Sequence, residues 1–65
     1  MEDYQKRVLD EKVELSKKID KLQIFLTDAA VQVLCSRHEY FLLRLQISAM
    51  RQYRDILLMR IESFL

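Results

Sequence analysis

The chain contains neither glycine nor proline, and this double absence restricts the folds available to it. Glycine supplies the left-handed backbone of many tight turns and proline interrupts helices, so a chain without them has few sharp turns. Hydrophobic residues make up 51% of the sequence and charged residues 32%, a composition unlike that of a disordered segment. We therefore expect an all-α protein built from long helices.

Cysteine and histidine are nearly absent as well, since Cys35 and His38 each occur once. An intrachain disulfide and an ordinary Cys/His zinc site are therefore excluded, and we expect no metal and no cofactor. A chain of 65 residues forms one domain at most, and a core that small is often supported by disulfides, metals or self-association. With disulfides and metals excluded, self-association is the remaining way to support so small a core. A reactive Cys35 near a helix start is an alternative interpretation.

No motif that carries a catalytic reaction is present. The sequence lacks a Gly-rich phosphate loop, a nucleophile elbow, an H-E-x-x-H pair and a calcium loop, so we predict a non-enzymatic protein. The longest apolar runs are far shorter than the roughly 20 residues that span a bilayer. Residues 1–7, MEDYQKR, lack the basic-then-apolar pattern of a secretory signal, so we expect none. With a lone thiol, this favours a cytoplasmic protein. A net charge of +1 gives no general attraction to nucleic acid or to an anionic membrane.

Residues 2–26 carry the first helical pattern. Their apolar side chains recur at helical spacing and form one seam, whereas the charges of this segment fall on the remaining surface. The members of the seam are Val8, Leu15, Ile19, Leu22 and Leu26. This pattern predicts an amphipathic helix that buries one side against a neighbour.

The helical pattern is interrupted over residues 27–35, which we assign to a connector. Thr27 and Asp28 favour a local break, and the residues after them are weakly helical or form a short turn. Ser36 and Glu39 then have the S-x-x-E form of a capping box, which predicts a second helix over residues 36–64. The expected fold is a coiled-coil-like, antiparallel two-helix hairpin in a single domain, residues 1–65. One continuous helix is the alternative.

The second helix has a broad apolar stripe that we expect to face the first helix. Steps of three and four residues define it, and further apolar side chains widen it to a full core-facing side. The stripe comprises Leu43, Gln46, Met50, Tyr53, Leu57, Arg60 and Phe64, widened by Leu42, Ala49, Ile56 and Ile61.

Other apolar residues of the second helix lie outside this stripe, so a second partner is needed to cover them. Phe41, Leu45, Ile47 and Leu58 are the candidate partner-binding residues. Exposed apolar patches of this kind mark interaction surfaces. Self-association into a four-helix or larger bundle would cover them, and docking of a foreign host or phage protein is the alternative.

Every basic residue after Cys35 is an arginine, and Arg37, Arg44 and Arg51 are spaced by seven so that they line one side of the helix. Guanidinium groups bind phosphates and carboxylates through paired hydrogen bonds and stack on aromatic rings. The candidate anion-binding residues are Arg44, Arg51, Tyr53 and Arg60. The alternative is that these arginines cover apolar surface and pair with acids of a neighbouring helix, such as Glu11 and Glu14.

Three stretches of the sequence resemble a known family: DYQKRV at residues 3–8, the run over 11–25, and the segment 42–61. In the last of these, Gln46, Met50, Tyr53 and Arg60 recur at the same spacings. The family consists of small phage and prophage proteins that are usually described only by relation to a crAss-like phage protein. The resemblance implies a phage or prophage origin, a soluble helical hairpin in the host cytoplasm, and no established catalytic residue.

Three functional hypotheses follow. In the first, the chain is a phage-encoded oligomeric protein that clamps a protein partner through its apolar outer face, as an accessory or counter-defence factor. In the second, arginine and tyrosine pockets between copies sequester an anionic nucleotide second messenger. In the third, the chain has a structural role in virion assembly.

Overall fold

A computed structural model describes residues 1–65, the whole chain, and contains three helices and no strand. The helices are α1 (Asp3–Thr27), α2 (Ala29–Leu34) and α3 (Arg37–Phe64). The all-α prediction is confirmed. None of the helices combines the length and the hydropathy needed to cross a membrane.

Polar side chains at the helix ends account for the breaks between the helices. Asp28 has extended backbone between α1 and α2, and its carboxylate accepts a hydrogen bond from the Ala30 amide at 2.9 Å. The Ser36 hydroxyl accepts from the Glu39 amide at 3.1 Å and so caps α3. These side chains satisfy amide groups that have no partner inside a helix, which stabilises a helix start at each site. A short helix therefore occupies much of the connector.

The helices α1 and α3 pack side by side in opposite directions and form a rod with extents of 47 × 15 × 14 Å. At one end the rings of Tyr4 and Phe64 meet edge to face, with centroids 6.4 Å apart. At the other end the Tyr40 hydroxyl donates a hydrogen bond to the Leu26 carbonyl at 3.1 Å. Contacts at both ends therefore fix the alignment of α3 along α1.

The core lies between α1 and α3 and is entirely apolar. Leu57 and Ile19 are almost completely buried, at 0% and 1% exposure. The buried side chains are Val8, Leu15, Ile19 and Leu26 from α1, and Ile47, Leu57 and Ile61 from α3. The predicted seam of the first helix thus faces the core, with Leu22 half-buried against it.

The stripe that α3 buries differs from the predicted one. Four residues face α1 as expected: Leu43, Met50, Leu57 and Phe64. The core-facing residues that alternate with them lie one position later in the sequence than predicted. Ile47 and Arg54 take the places assigned to Gln46 and Tyr53, and Ile61, which was predicted to widen the stripe, is buried in place of Arg60. Gln46, Tyr53 and Arg60 are exposed, together with Leu42, Ala49 and Ile56.

The physical reason for this rotation is the identity of the side chains. Burying Ile47 and Ile61 removes apolar surface from water, whereas Gln46 and Arg60 keep their polar groups hydrated. Ile47 is only 6% exposed, so its assignment to an outer partner-binding face was wrong.

Candidate anion-binding groove

A groove of about 550 Å³ opens on one side of the hairpin, where α1 ends and the first half of α3 begins. Most of its lining residues are polar, and its apolar floor includes Leu26 and Ile47 of the hairpin core. We call it the arginine groove; it is lined by Gln23, Leu26 and Thr27 of α1, Gln32 of α2, and Tyr40, Arg44, Ile47, Ser48 and Arg51 of α3. Its volume lies within the range of small-molecule sites, roughly 300–1,000 Å³.

Arg44 and Arg51 give this groove its positive charge. They are seven residues apart, which is about 10 Å along a helix axis, so both guanidinium groups reach the same wall. The Arg51 Nη2 group donates a hydrogen bond to the Gln23 amide oxygen across the groove at 3.0 Å. Because Gln23 is neutral, this contact orients Arg51 and leaves its charge uncancelled.

Neither groove arginine has an acidic partner within the chain. The ion pair of the structure joins Lys17 and Glu14 at 3.5 Å, on exposed surface of α1. Glu11 accepts a hydrogen bond from Tyr53 instead of meeting an arginine. The alternative that the arginines pair with Glu11 or Glu14 therefore does not describe the single chain, and both cations face solvent.

A smaller groove of about 370 Å³ continues from the first toward the connector. The two grooves share Gln32, Tyr40 and Arg44, and Arg37 adds a third guanidinium at the far end. The three seven-spaced arginines thus line one continuous depression. Cys35 also lines the smaller groove, where it is half-buried with a free thiol.

Comparison with protein families shows where this helical hairpin belongs. The family model described as Sequestin matches residues 2–63, which is nearly the whole chain. The chain belongs to the Sequestin family. Comparison with curated proteins and with solved structures gave no match.

The four predicted anion-binding residues of this Sequestin-family chain do not form one site. Arg44 and Arg51 line the arginine groove, whereas Tyr53 and Arg60 lie outside it. The Tyr53 hydroxyl donates a hydrogen bond to the Glu11 carboxylate, and that bond raises the pKa of Tyr53 above its ordinary value. Partial burial and the Glu11 charge act in the same direction, and the Arg60 charge opposes them.

The four predicted partner-binding residues are also divided. Phe41 and Leu45 are 57% and 52% exposed on the outside of α3, as expected of a docking surface. Leu58 is half-buried, and Ile47 belongs to the core. Sequence reasoning placed Leu42 and Ile56 in the core, yet both are exposed.

The neutral members of the groove were not predicted. Gln23, Thr27, Gln32 and Ser48 come from three helices, and nothing in their spacing or type sets them apart from other polar surface residues. The spacing of the arginines, seven residues apart, was the one sequence signal that indicated a site on this side of α3. The position of α2 and of the end of α1 was needed to find the opposite wall.

Proposed function

We propose that this chain is a non-enzymatic binding protein that sequesters a small anionic ligand of the nucleotide type in the arginine groove. The observation that supports this most is that Arg44 and Arg51 line one groove without a carboxylate partner in the chain. The family name, Sequestin, fits a role in sequestration.

The groove residues suit a ligand with both anionic and neutral polar parts. Two arginines whose backbone positions are about 10 Å apart along the helix can contact two separate phosphates, or one phosphate from two sides. The side-chain amides of Gln23 and Gln32 offer donors and acceptors to a sugar or a base. No nucleophile paired with a base lies in the arginine groove, so the ligand would be held and not transformed.

The biological setting is part of the proposal. The proposal includes the phage or prophage origin that the sequence resemblance implies and a site of action in the host cytoplasm, where removal of a nucleotide signal would serve counter-defence. Self-association into a helical bundle also belongs to the proposal, because the outer side of α3 exposes apolar residues such as Phe41 and Leu45.

The same exposed surface supports a second candidate function. Phe41 and Leu45 together could hold a host or phage protein against the outside of α3, as in the clamp hypothesis. This candidate predicts a stoichiometric protein partner that is lost on Phe41→Glu. It makes no use of the arginine groove.

Calorimetric titration separates the two candidates. Cyclic dinucleotides, cyclic trinucleotides and ADP-ribose derivatives would be titrated into the wild type, Arg44→Ala, Arg51→Ala and, as a control, Arg7→Ala on α1. Sequestration predicts heat with at least one compound, and each groove variant should weaken binding at least about tenfold, whereas Arg7→Ala should not. No heat from any compound, together with a protein partner lost on Phe41→Glu, would favour the clamp.

A further inference from the structure

The side of α3 that faces away from α1 carries a regular row of exposed residues. Successive members are three and four residues apart in alternation, which is the heptad spacing of a coiled-coil contact. Leu45, Ile56 and Met59 are 52%, 51% and 59% exposed in this row. We call it the outer seam; it consists of Leu42, Leu45, Ala49, Gln52, Ile56 and Met59.

The outer seam is long enough to seat another helix. From Leu42 to Met59 it extends about 26 Å along the helix axis, at 1.5 Å per residue. Four of its six members are large and apolar, and each gains by leaving water. The core contact with α1 uses other positions, such as Ile47 and Leu57, so the outer seam has no partner within the chain.

We infer that the outer seam is covered by α3 of a second copy of this chain, running antiparallel. The inference rests on the self-association included in the proposed function and supplies its geometry. In the antiparallel register, Leu42 faces the partner's Met59 and Leu45 faces the partner's Ile56. At the centre, Ala49 faces the partner's Gln52, so small and large side chains alternate across the contact.

Charge complementarity supports a second copy as the occupant. Beside the outer seam, the same register sets Glu39 opposite the partner's Arg60 at both ends of the contact. Neither Glu39 nor Arg60 forms an ion pair within its own chain. Ser48 lies opposite the partner's Asp55, which offers its hydroxyl a carboxylate acceptor. No like charges face each other along either flank.

A parallel arrangement fits the same residues less well. Each seam residue would then face its own counterpart, so that two Ala49 side chains would leave a gap next to two facing Gln52 side chains. The helix dipoles of the two α3 helices would also point the same way. The antiparallel register avoids both.

The antiparallel dimer leaves the arginine groove open. Arg44 and Arg51 lie on the side of α3 next to the core and are not members of the outer seam. Each copy therefore keeps both groove arginines, and the dimer presents two grooves, each with Ser48 at the edge that meets the partner. Ligand binding and dimer formation can be measured independently for this reason.

Light scattering on Leu45→Glu tests the inference. The wild type should have twice the mass of the 7.9 kDa chain at micromolar concentration, and Leu45→Glu should return it to 7.9 kDa. Leu45 is exposed in the single chain, so circular dichroism should show an intact helical fold. The matched control is Ile24→Glu, which changes a 70% exposed residue on α1 and should leave the dimer intact.

Cross-linking tests the direction. In a Cys35→Ser background, Glu39→Cys mixed with Arg60→Cys should be joined by a short bifunctional maleimide. The mixture of Asp55→Cys with Arg60→Cys, which a parallel coiled coil brings together, should not be joined. The opposite result would overturn the antiparallel register.

A wild type of 7.9 kDa, or equal dissociation of Leu45→Glu and Ile24→Glu, would overturn the assignment of the outer seam. Failure of the seam differs from failure of the proposed ligand function, because both groove arginines, Arg44 and Arg51, come from the same copy. A monomer that binds nucleotide would contradict only the dimer contact through the outer seam. A dimer that binds no nucleotide would contradict only sequestration.

Discussion

At the scale of single residues, Tyr53 and Glu11 link α3 to α1 through a hydrogen bond from the phenol to the carboxylate. The bond raises the pKa of Tyr53 above its ordinary value of 10.0, because loss of the proton would remove the donor and place two anions together. A pKa that is higher in the folded state adds stability that is complete below the unfolded pKa and is lost as pH rises through the folded value.

We therefore expect the free energy of unfolding to fall more steeply above pH 10.0 in the wild type than in Tyr53→Phe. Urea denaturation across alkaline pH measures this. Ultraviolet titration of Glu11→Gln should show Tyr53 ionising at lower pH than in the wild type. Identical alkaline profiles for the wild type and Tyr53→Phe would show that the contact does not stabilise the hairpin.

Gln23 is the residue that orients Arg51 in the arginine groove. Gln23→Ala should reduce nucleotide affinity several-fold with little loss of stability, since Gln23 is exposed. Gln23→Glu would keep Arg51 in place but cancel its charge, and should lower affinity further. Calorimetry gives both values. Equal affinity for Gln23→Glu and the wild type would argue against a charge-driven groove.

The difference between predicted and observed site residues has a physical origin at this scale. Arg44 and Arg51 could be found because charge and seven-residue spacing are visible in the sequence. Gln23 could not, because a neutral amide becomes part of a site only through its position opposite an arginine. Tyr53 was grouped with the arginines by its residue type, yet its hydroxyl is bound to Glu11 of α1 and lies outside the groove.

At the scale of helices, the start of α3 depends on the Ser36 hydroxyl, which accepts from the Glu39 amide at 3.1 Å. Ser36→Ala should lower the free energy of unfolding by about 0.5–2 kcal/mol, the usual cost of losing an N-cap. Thr27→Ala should cost less, because the Thr27 hydroxyl donates to the Ile24 carbonyl within its own helix. Denaturant midpoints compare the two. Equal effects would mean that Ser36 does not cap α3.

Substitution of Ile47 tests how α3 is rotated about its own axis, because Ile47 lies in the core and is only 6% exposed. Ile47→Ala should cost about 2–5 kcal/mol, as truncation of a buried isoleucine does. Ile24→Ala at a 70% exposed site should change stability by no more than about 0.5 kcal/mol. If the two substitutions cost the same in urea denaturation, α3 is turned differently from the structure.

Local signals explain why the helices themselves were predictable. The S-x-x-E pattern at Ser36 and the apolar spacing of α1 are properties of neighbouring residues. The structure contains the serine half of the predicted capping box, the bond from the Glu39 amide to the Ser36 hydroxyl, and the buried seam of α1. The face that α3 presents to α1 could not be predicted from such local signals, because the apolar side chains of α3 form more than one stripe. Packing against α1 selects the stripe that contains Ile47 and Ile61.

At the scale of the whole molecule, the hairpin presents a cationic groove on one side and an apolar seam on another. Binding driven by Arg44 and Arg51 should weaken as salt is added, because ions screen exposed charges. Dimer formation through the outer seam should depend on salt much less, since it buries mainly apolar surface. Parallel calorimetry and light scattering at low and high salt compare the two. Equal salt dependence would contradict a charge-driven groove beside an apolar seam.

The sequestration that we propose requires the chain to remove an anionic nucleotide from solution and to release it chemically unchanged when the chain unfolds. The direct measurement is to incubate each nucleotide that gives calorimetric heat with the protein, measure the free fraction by ultrafiltration, and then unfold the protein. We expect the free nucleotide to fall with the wild type but not with the Arg44→Ala/Arg51→Ala double variant, and the intact compound to return in full on unfolding. A chemically altered product, or equal depletion by the double variant, would contradict sequestration in the arginine groove.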